Sequence, residues 1–199
     1  GGGKSWAVRT KAVILALKHK GIRICIIRRT YPELTENHIK PLRDLLQCGA
    51  KDSVAKYNDS RKELKFINGS EILFRYCNAE KDLNNFQGVQ FDVIFFDEAT
   101  QIKQEWIEKI GACVRGVNSF PKRTYYTMNP GGASHGYFKR LFIDRKYESG
   151  DISAIRDILE NDLGYNCELN KLNTRINEML KRGNYQIFVA CDGDKVVGY

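Results

Sequence analysis

Two acidic side chains directly follow a short, wholly apolar segment of the sequence. Val93–Phe96 contains only Val, Ile and Phe, and it is followed by Asp97 and Glu98. A buried parallel strand brings the residues at its end to the carboxyl edge of a sheet, where open α/β sheets bind their ligands. There Asp97 could hold Mg²⁺ through water, and Glu98 could be the catalytic group that polarises an attacking water. The alternative is a pair of acids that only caps a following helix.

The chain opens with residues that match the second half of the phosphate-binding pattern G-x-x-x-x-G-K-[ST]. They are Gly1, Gly2, Gly3, Lys4 and Ser5. In such a loop, backbone N–H groups and the N-terminus of the next helix bind phosphate oxygens. Lys4 could reach the β- and γ-phosphates as a second catalytic group, and Ser5 could ligate Mg²⁺ beside Asp97. The pattern therefore predicts ATP and Mg²⁺ as ligands; the alternative is a flexible glycine-rich start.

A third polar group follows the next predicted strand. Tyr126–Gly132 reads Tyr-Thr-Met-Asn-Pro-Gly-Gly. Because alternate side chains of a strand face the same way, Thr127 and Asn129 should project together at the sheet edge. They could bond the γ-phosphate or the attacking water and report hydrolysis to the glycine-rich segment. A plain turn built on Asn-Pro-Gly-Gly is the other interpretation.

Helices and strands alternate around these residues. The predicted helices are Ser5–Lys20, Tyr31–Gln47, Gln104–Val114, Ser134–Asp144, Ile152–Asp162 and Leu169–Lys181. The predicted strands are Ile22–Ile27, Val93–Phe96, Arg123–Met128, Tyr185–Cys191 and Lys195–Tyr199, with a hairpin in Glu63–Tyr76 that turns at Asn68-Gly69. This order predicts an α/β fold with a mostly parallel sheet and flanking helices over residues 1–150. A small α+β segment should form residues 151–199.

Composition limits the classes of partner. The net charge is +8, and the basic excess lies in residues 1–150. Basic surfaces suit nucleic acid, so Arg23–Arg43 and Lys56–Lys65 could line a path for a duplex, although a solvated surface explains the charge equally well. The six cysteines form no C-x-x-C pair, which favours buried thiols in a reducing compartment over disulfides or zinc. No run of about 18 apolar residues predicts a membrane span.

Four segments, in order, resemble the ATPase domain of phage terminase large subunits across about residues 1–148. They are Gly1–Val8, Ile26–Leu34, Phe86–Gln101 and Thr127–Pro130. The resemblance implies a P-loop NTPase of the ASCE type that drives double-stranded DNA into a procapsid. It also implies a ring homo-oligomer with portal protein and terminase small subunit as partners, located in the host cytoplasm and away from membranes.

The same resemblance assigns roles by position. It implies Lys4 and Ser5 as the Walker A end, Asp97 and Glu98 as the Walker B pair, and Thr127 with Asn129 as the coupling motif. These assignments follow the order of the motifs in the sequence. Arg115 is a weaker candidate for a catalytic arginine that acts on the nucleotide of a neighbouring subunit.

The sequence also departs from the terminase pattern. The first strand, the start of the Walker A loop and the adenine-contacting segment would lie before Gly1, so hydrolysis by this chain could be impaired. No nuclease domain is predicted; Asp192 and Asp194 fall in a hairpin turn and are weak nuclease candidates. Two other interpretations stay open: another P-loop nucleic-acid motor such as a helicase, or a DNA-binding fragment with a remnant phosphate site.

Residues 151–199 resemble the start of a GNAT-type N-acetyltransferase. The resemblance rests on Asp151–Leu159 and on Phe188–Tyr199. The family's loop for the acetyl-CoA pyrophosphate would follow Tyr199, so no acetyl transfer is expected. The two resemblances together suggest a chimeric chain.

Overall fold

The computed structural model describes residues 3–115, 118–120, 122–142, 151–161, 166, 168–181, 190–192 and 195–198. The chain divides into two compact units, Gly1–Ser134 and His135–Tyr199. This division precedes the predicted boundary at residue 150. Within the described ranges, no helix combines the length and the apolar character needed to cross a membrane.

One sheet organises the first unit. Its strands are β1 (Arg23–Arg28), β2 (Ala55–Asn58), β3 (Glu63–Phe66), β4 (Glu71–Tyr76), β5 (Val93–Phe96) and β6 (Arg123–Tyr126). Among the described residues the sheet has six strands in the order β2-β3-β4-β1-β5-β6. Strands β4, β1, β5 and β6 are parallel, whereas β2, β3 and β4 pair antiparallel. The prediction of an α/β fold with a mostly parallel sheet and a hairpin is confirmed.

The parallel register aligns the ends of three strands. Ile27 of β1 pairs with Phe96 of β5, and Phe96 pairs with Tyr126 of β6. Parallel strands that end in register present their next residues at one edge of the sheet. The residues that follow β5 and β6, Asp97 and Thr127, therefore become neighbours, with Arg28 at the end of β1 beside them.

Helix α1 (Lys4–Lys18) covers one face of this sheet. Its buried residues are Val8, Ala12, Leu15 and Ala16. They recur at helical spacing and pack in one hydrophobic core with sheet residues such as Ile24, Ile26, Phe74 and Phe95. The two alanines are fully buried, which lets the helix backbone approach the sheet closely. The remaining elements of the unit are α2 (Tyr31–Leu34), α3 (Lys40–Leu45), α4 (Gln104–Gly111) and 3₁₀ turns at Glu80–Phe86 and Ala99–Gln101.

The helix predicted for Tyr31–Gln47 is interrupted by a π-helical turn, Thr35–Ile39, between α2 and α3. Pro41 explains the interruption because proline has no N–H to donate to the carbonyl four residues earlier. That carbonyl belongs to Asn37, and it accepts a hydrogen bond from the Arg9 guanidinium of α1 instead. The N–H of Lys40 reaches the Thr35 carbonyl in the wider π pattern.

The π turn also changes which side chains face inward. Leu34 and Ile39 are both buried although they lie five positions apart, a spacing that an α-helix places on different faces. The wider turn returns them to one face, and His38, four positions after Leu34, is fully buried on that face too.

The second unit contains α5 (His135–Phe142), α6 (Ile152–Asn161), α7 (Leu169–Lys181) and an antiparallel pair, β7 (Ala190–Asp192) and β8 (Lys195–Gly198). Ile155 of α6 and Ile176 of α7 share a small hydrophobic core with Ile158 and Leu172. The predicted helices of this region are confirmed. Most of the strand predicted at Tyr185–Cys191 lies outside the described residues, as does Asp194.

Candidate functional site

Asp97 is the centre of a buried polar cluster at the carboxyl edge of the sheet. It has no exposed surface. One carboxylate oxygen, Oδ2, accepts hydrogen bonds from Ser5 Oγ at 2.9 Å, Arg28 Nη1 at 3.1 Å and His38 Nε2 at 2.8 Å. The other oxygen, Oδ1, accepts from the Thr127 hydroxyl. Four separate elements (α1, β1, the π turn and the end of β6) therefore meet on one carboxylate.

These contacts determine the charge of Asp97. Burial alone would raise the pKa of this carboxyl, but hydrogen bonds from His38, Thr127 and Ser5 outweigh burial and lower the pKa to about 2. Burial is also the main effect on His38 and lowers the pKa of its imidazole. A neutral imidazole beside an ionised carboxylate must carry its proton on Nε2 to donate to Asp97. Its Nδ1 then has no hydrogen-bond partner among the described residues.

Glu98 adopts an unusual backbone conformation immediately after β5. Its φ is 57° and its ψ is 46°, in the left-handed region that residues other than glycine rarely occupy. Its N–H donates to Thr127 Oγ1 at 3.2 Å, and its carboxylate accepts from Asn129 Nδ2 at 3.0 and 3.1 Å. The backbone bond and the side-chain bonds together hold this conformation, which turns the Glu98 side chain towards Asn129.

Lys4 reaches the same asparagine from the start of α1. Its Nζ donates to Asn129 Oδ1 at 2.8 Å, so Asn129 connects Lys4 with Glu98. Gly3 precedes the helix with φ at 71°, a conformation that favours glycine. No acidic residue lies in the first turn of α1, so the positive end of the helix and the lysine together favour an anion. Gly1 and Gly2 lie outside the described residues.

The loop after β6 is held against the turn after β5. Thr100 Oγ1 donates to the Asn129 carbonyl at 3.1 Å, and the Thr100 carbonyl accepts from the Ser134 N–H at 3.0 Å. Gly132 passes so close that a Cβ added there would lie 2.5 Å from the Thr100 oxygen. This packing fixes the backbone that carries Asn129.

Arg115 lies away from this cluster. The residue before it, Val114, forms a bridge with Phe91, which precedes β5. Asp97 follows the opposite end of β5, roughly 20 Å away at about 3.3 Å per residue. Among the described residues, no hydrogen bond or ion pair connects Arg115 with the Asp97 cluster. A role on a neighbouring subunit stays a prediction.

The donors at this edge suit a hard cation. Mg²⁺ prefers oxygen ligands, commonly a carboxylate together with water and phosphate oxygens. The Ser5 hydroxyl and the ionised Asp97 carboxylate lie 2.9 Å apart and provide such oxygens. Lys4 and the N-terminus of α1 lie beside them, where phosphate oxygens would complete the ligand set. The residues present therefore fit Mg²⁺ with a phosphate ligand.

Two members of the cluster, Arg28 and His38, were not among the predicted site residues. Arg28 carries a detectable signal, because it directly follows the apolar parallel strand predicted at Ile22–Ile27. His38 carries only a weak signal: it lies four positions after Leu34, so an α-helix already places the two on one face, but a histidine on such a face does not by itself indicate a site.

Solved structures share this fold. The large terminase of a thermophilic bacteriophage is 20% identical with a TM-score of 0.58, and the match covers 71% of this chain and 34% of that one. The same terminase in complex with ADP gives 20% identity and a TM-score of 0.56, with the same coverage. The large terminase ATPase domain of Thermus phage P74-26 is 18% identical with a TM-score of 0.52, covering 74% of this chain and 64% of that domain.

The chain thus spans about a third of the length of the thermophilic bacteriophage terminase. No curated protein sequence matches it. At these identities the likeness to solved structures concerns the fold.

A family-level comparison extends into the second unit. The family described as phage terminase large subunit matches residues 1–194. The match takes in nearly all of the segment interpreted as an acetyltransferase start, and no comparison supports that interpretation or a chimeric chain. The resemblance rested on one helical segment, Asp151–Leu159, and on a hairpin with Asp-Gly-Asp at its turn, a pattern that many α+β proteins share. From residue 1 to residue 194, the chain belongs to the phage terminase large subunit family.

Proposed function

We propose that the cluster around Asp97 hydrolyses ATP and drives the packaging of double-stranded DNA, with residues 1–150 acting as a P-loop ATPase domain of the ASCE type. One observation carries the proposal. The first two residues of α1 contact the residues that follow β5 and β6, through Ser5 with Asp97 and Lys4 with Asn129. A phosphate-binding helix start, a buried acid and a second acid within one bonded group are the parts that nucleotide hydrolysis requires.

Lys4 and the start of α1 bind the phosphates in this proposal. Gly1–Ser5 present backbone N–H groups to the β-phosphate, and Lys4 exchanges its bond with Asn129 for one with the γ-phosphate. The exchange replaces a neutral amide acceptor with a charged one, so it is favourable. The thermophilic bacteriophage terminase is a fold relative that was solved with ADP, which supports a nucleotide as the ligand.

Ser5 and Asp97 would hold Mg²⁺. The ion would supply charge neutralisation between the β- and γ-phosphate oxygens. Asp97 is suited to this role because its low pKa keeps it ionised at neutral pH. Arg28 and His38 both donate to Oδ2 of the carboxylate, so its orientation is set before any ligand arrives.

Glu98 activates the water. Its carboxylate takes a proton from a water molecule as the water oxygen attacks the γ-phosphorus, and the bond from that phosphorus to the bridging oxygen breaks to release ADP. Asn129 holds both Glu98 oxygens, and Thr127 bonds both Asp97 and the Glu98 N–H. These two residues can therefore sense the γ-phosphate and relay its loss to the loop that ends at Ser134. Arg115 would complete the site of a neighbouring subunit.

Double-stranded DNA, a portal protein, a terminase small subunit and a ring of identical subunits are the proposed partners. Membership of the family supports them. The basic excess of residues 1–150 within a net charge of +8 suits a DNA backbone.

ATP turnover tests the assignment. Lys4→Ala and Glu98→Gln in the complete protein should each lower kcat by roughly 100-fold or more, as expected for catalytic groups. Lys11→Ala on the same helix and Glu105→Gln on α4 are the matched controls, and they should retain parent turnover. Equal turnover in parent, Lys4→Ala and Glu98→Gln would exclude this site as the source of hydrolysis.

A further inference from the structure

His38 is the fourth of the five residues of the π turn, and its Nε2 contacts the Asp97 carboxylate of the polar cluster. We propose that His38 is a positioning residue that fixes the Asp97 carboxylate towards Ser5, and this inference rests on the function proposed above. His38 does not touch the nucleotide in this proposal. It acts through Asp97.

The contacts of Asp97 show what His38 contributes. Oδ2 receives three donors, from Ser5, Arg28 and His38, whereas Oδ1 receives one from Thr127. Donors on both oxygens prevent the carboxylate from rotating. The His38 contact, at 2.8 Å, is the shortest of the three to Oδ2. Because His38 has no exposed surface, no water can replace its donor without a change in packing.

Burying His38 is costly in free energy of folding because one of its polar atoms is left without a partner in the part of the chain that the structure describes. The Nδ1 atom finds no partner among the described residues, and a buried polar atom without a partner is destabilising. A leucine of similar size would avoid that cost and still pack beside Ile39. Within the described part of the chain, the Asp97 bond is the one hydrogen bond that the imidazole makes. The polar contact, rather than the packing, therefore explains a histidine here.

The backbone around His38 is connected to the helix that carries Ser5. Pro41 releases the Asn37 carbonyl from the helical pattern, and Arg9 of α1 donates to that carbonyl. The side-chain amide of Asn37 donates to the Glu33 carbonyl at 2.8 Å, which further fixes the turn. The π turn is thus held in register with α1, so His38 and Ser5 approach Asp97 with a fixed separation.

Two substitutions separate positioning from packing. His38→Leu keeps the volume and removes the donor, whereas His38→Gln can place an amide N–H near the position of Nε2. His19→Leu is the control, because His19 ends α1 far from Ser5 and packs against Phe120 at 5.7 Å between ring centroids. Each variant of the complete protein is titrated with a fluorescent ATP analogue, with Mg²⁺ and with EDTA, and its kcat and KM for ATP are measured.

In the parent, Mg²⁺ should tighten binding of the analogue. His38→Leu should lose about 10-fold or more of that Mg²⁺-dependent gain and of kcat, as residues that orient metal ligands do when removed. Binding in EDTA should stay unchanged, His38→Gln should recover most of the loss, and His19→Leu should match the parent. Parent behaviour in His38→Leu overturns the proposal. The proposal is also overturned if His38→Leu and His38→Gln lose the same amount of analogue binding, both with Mg²⁺ and with EDTA. Such losses indicate a purely structural role.

The protonation of His38 can also be measured by ¹⁵N NMR without any nucleotide. This measurement tests the role of His38 separately from the proposed ATP hydrolysis. The chain has three histidines, so ¹⁵N spectra of labelled histidine resolve which ring nitrogen of His38 carries the proton. A neutral Nε2–H tautomer whose signal shifts in Asp97→Asn supports positioning. A proton on Nδ1 overturns it, whatever the hydrolysis data show. If ATP turnover does not depend on Lys4 and Glu98, the proposed function is wrong, but the inference that His38 positions Asp97 is unaffected.

Discussion

The Ser5 hydroxyl donates a 2.9 Å hydrogen bond to the Asp97 carboxylate, although 92 positions separate the two residues in the chain. The bond joins the start of α1 to the end of β5. It depends on the parallel register of β1, β5 and β6, which brings Asp97 to the edge that α1 begins on. Through this contact, the motif that contains Ser5 and the motif that contains Asp97 lie side by side.

Removing the hydroxyl should weaken the metal site selectively. We expect Ser5→Ala to lower the Mg²⁺ affinity of the nucleotide complex by about 10-fold or more, since the oxygen ligand and its bond to Asp97 are both lost. Ser5→Thr keeps the hydroxyl and should stay close to the parent. Turnover as a function of Mg²⁺ concentration at saturating ATP measures the difference. Identical Mg²⁺ curves for Ala and Thr would contradict the assignment.

Asn129 connects Lys4 with Glu98, so its loss should affect the chemical step. If Glu98 activates water as proposed, Asn129→Ala is expected to lower kcat by roughly 100-fold with little change in KM, because the amide that orients the Glu98 carboxylate is then lost. Steady-state ATP hydrolysis gives both constants. Asn84→Ala, at an exposed position of the 3₁₀ turn Glu80–Phe86, is the control. A rise in KM at constant kcat would instead assign Asn129 to substrate binding.

Gly131 and Gly132 follow Pro130, and substituting each with alanine gives two comparable variants for measuring the free energy of unfolding. Both have positive φ, 92° at Gly131 and 95° at Gly132. An alanine Cβ meets nothing within 4 Å at Gly131 but lies 2.5 Å from the Thr100 carbonyl oxygen at Gly132. We expect Gly131→Ala to lower the free energy of unfolding by about 1–2 kcal/mol from backbone strain, and Gly132→Ala by about 1–3 kcal/mol more from the clash. Urea unfolding measures both, and equal losses would contradict the close approach.

Asp97 should contribute to acid stability. Its pKa falls from an ordinary 3.8 to about 2 in the folded protein, so the unfolded chain binds this proton more tightly. The contribution is therefore fully present above the unfolded pKa and is lost as the pH falls through the folded pKa. The difference in unfolding free energy between parent and Asp97→Asn should be constant above about pH 5 and shrink by about 2 kcal/mol towards pH 2. A difference independent of pH in this range would rule out the low pKa.

The elements that hold the predicted site residues could be predicted because each has a strong local pattern. Val93–Phe96 is an uninterrupted apolar run, and α1 buries residues at helical spacing. Parallel pairing then follows from the alternation of helices and strands. That is sufficient to place Asp97 near Lys4 and Ser5 without knowledge of a single side-chain contact.

Other features depend on tertiary contacts and could not be predicted. Strand β2 is a short edge strand with Lys56 and Asn58 exposed, so its pattern resembles a loop. The left-handed backbone of Glu98 depends on Thr127, 29 positions away. The π turn that brings Ile39 onto the face of Leu34 and His38 involves Pro41 and Arg9, which donates to the carbonyl that proline leaves free. Local propensity does not contain these long-range bonds.

Ser5 and Arg9 lie one helical turn apart on α1, and each bonds outside the helix, Ser5 to Asp97 and Arg9 to the π turn. A shift of α1 along its axis must strain both bonds at once, so the helix cannot yield at one point and remain in place at the other. Its 15 residues form a stiff rod roughly 22 Å long. A displacement of Ser5 along the helix axis would therefore move Arg9 and the rest of α1 as far as Lys18 with it.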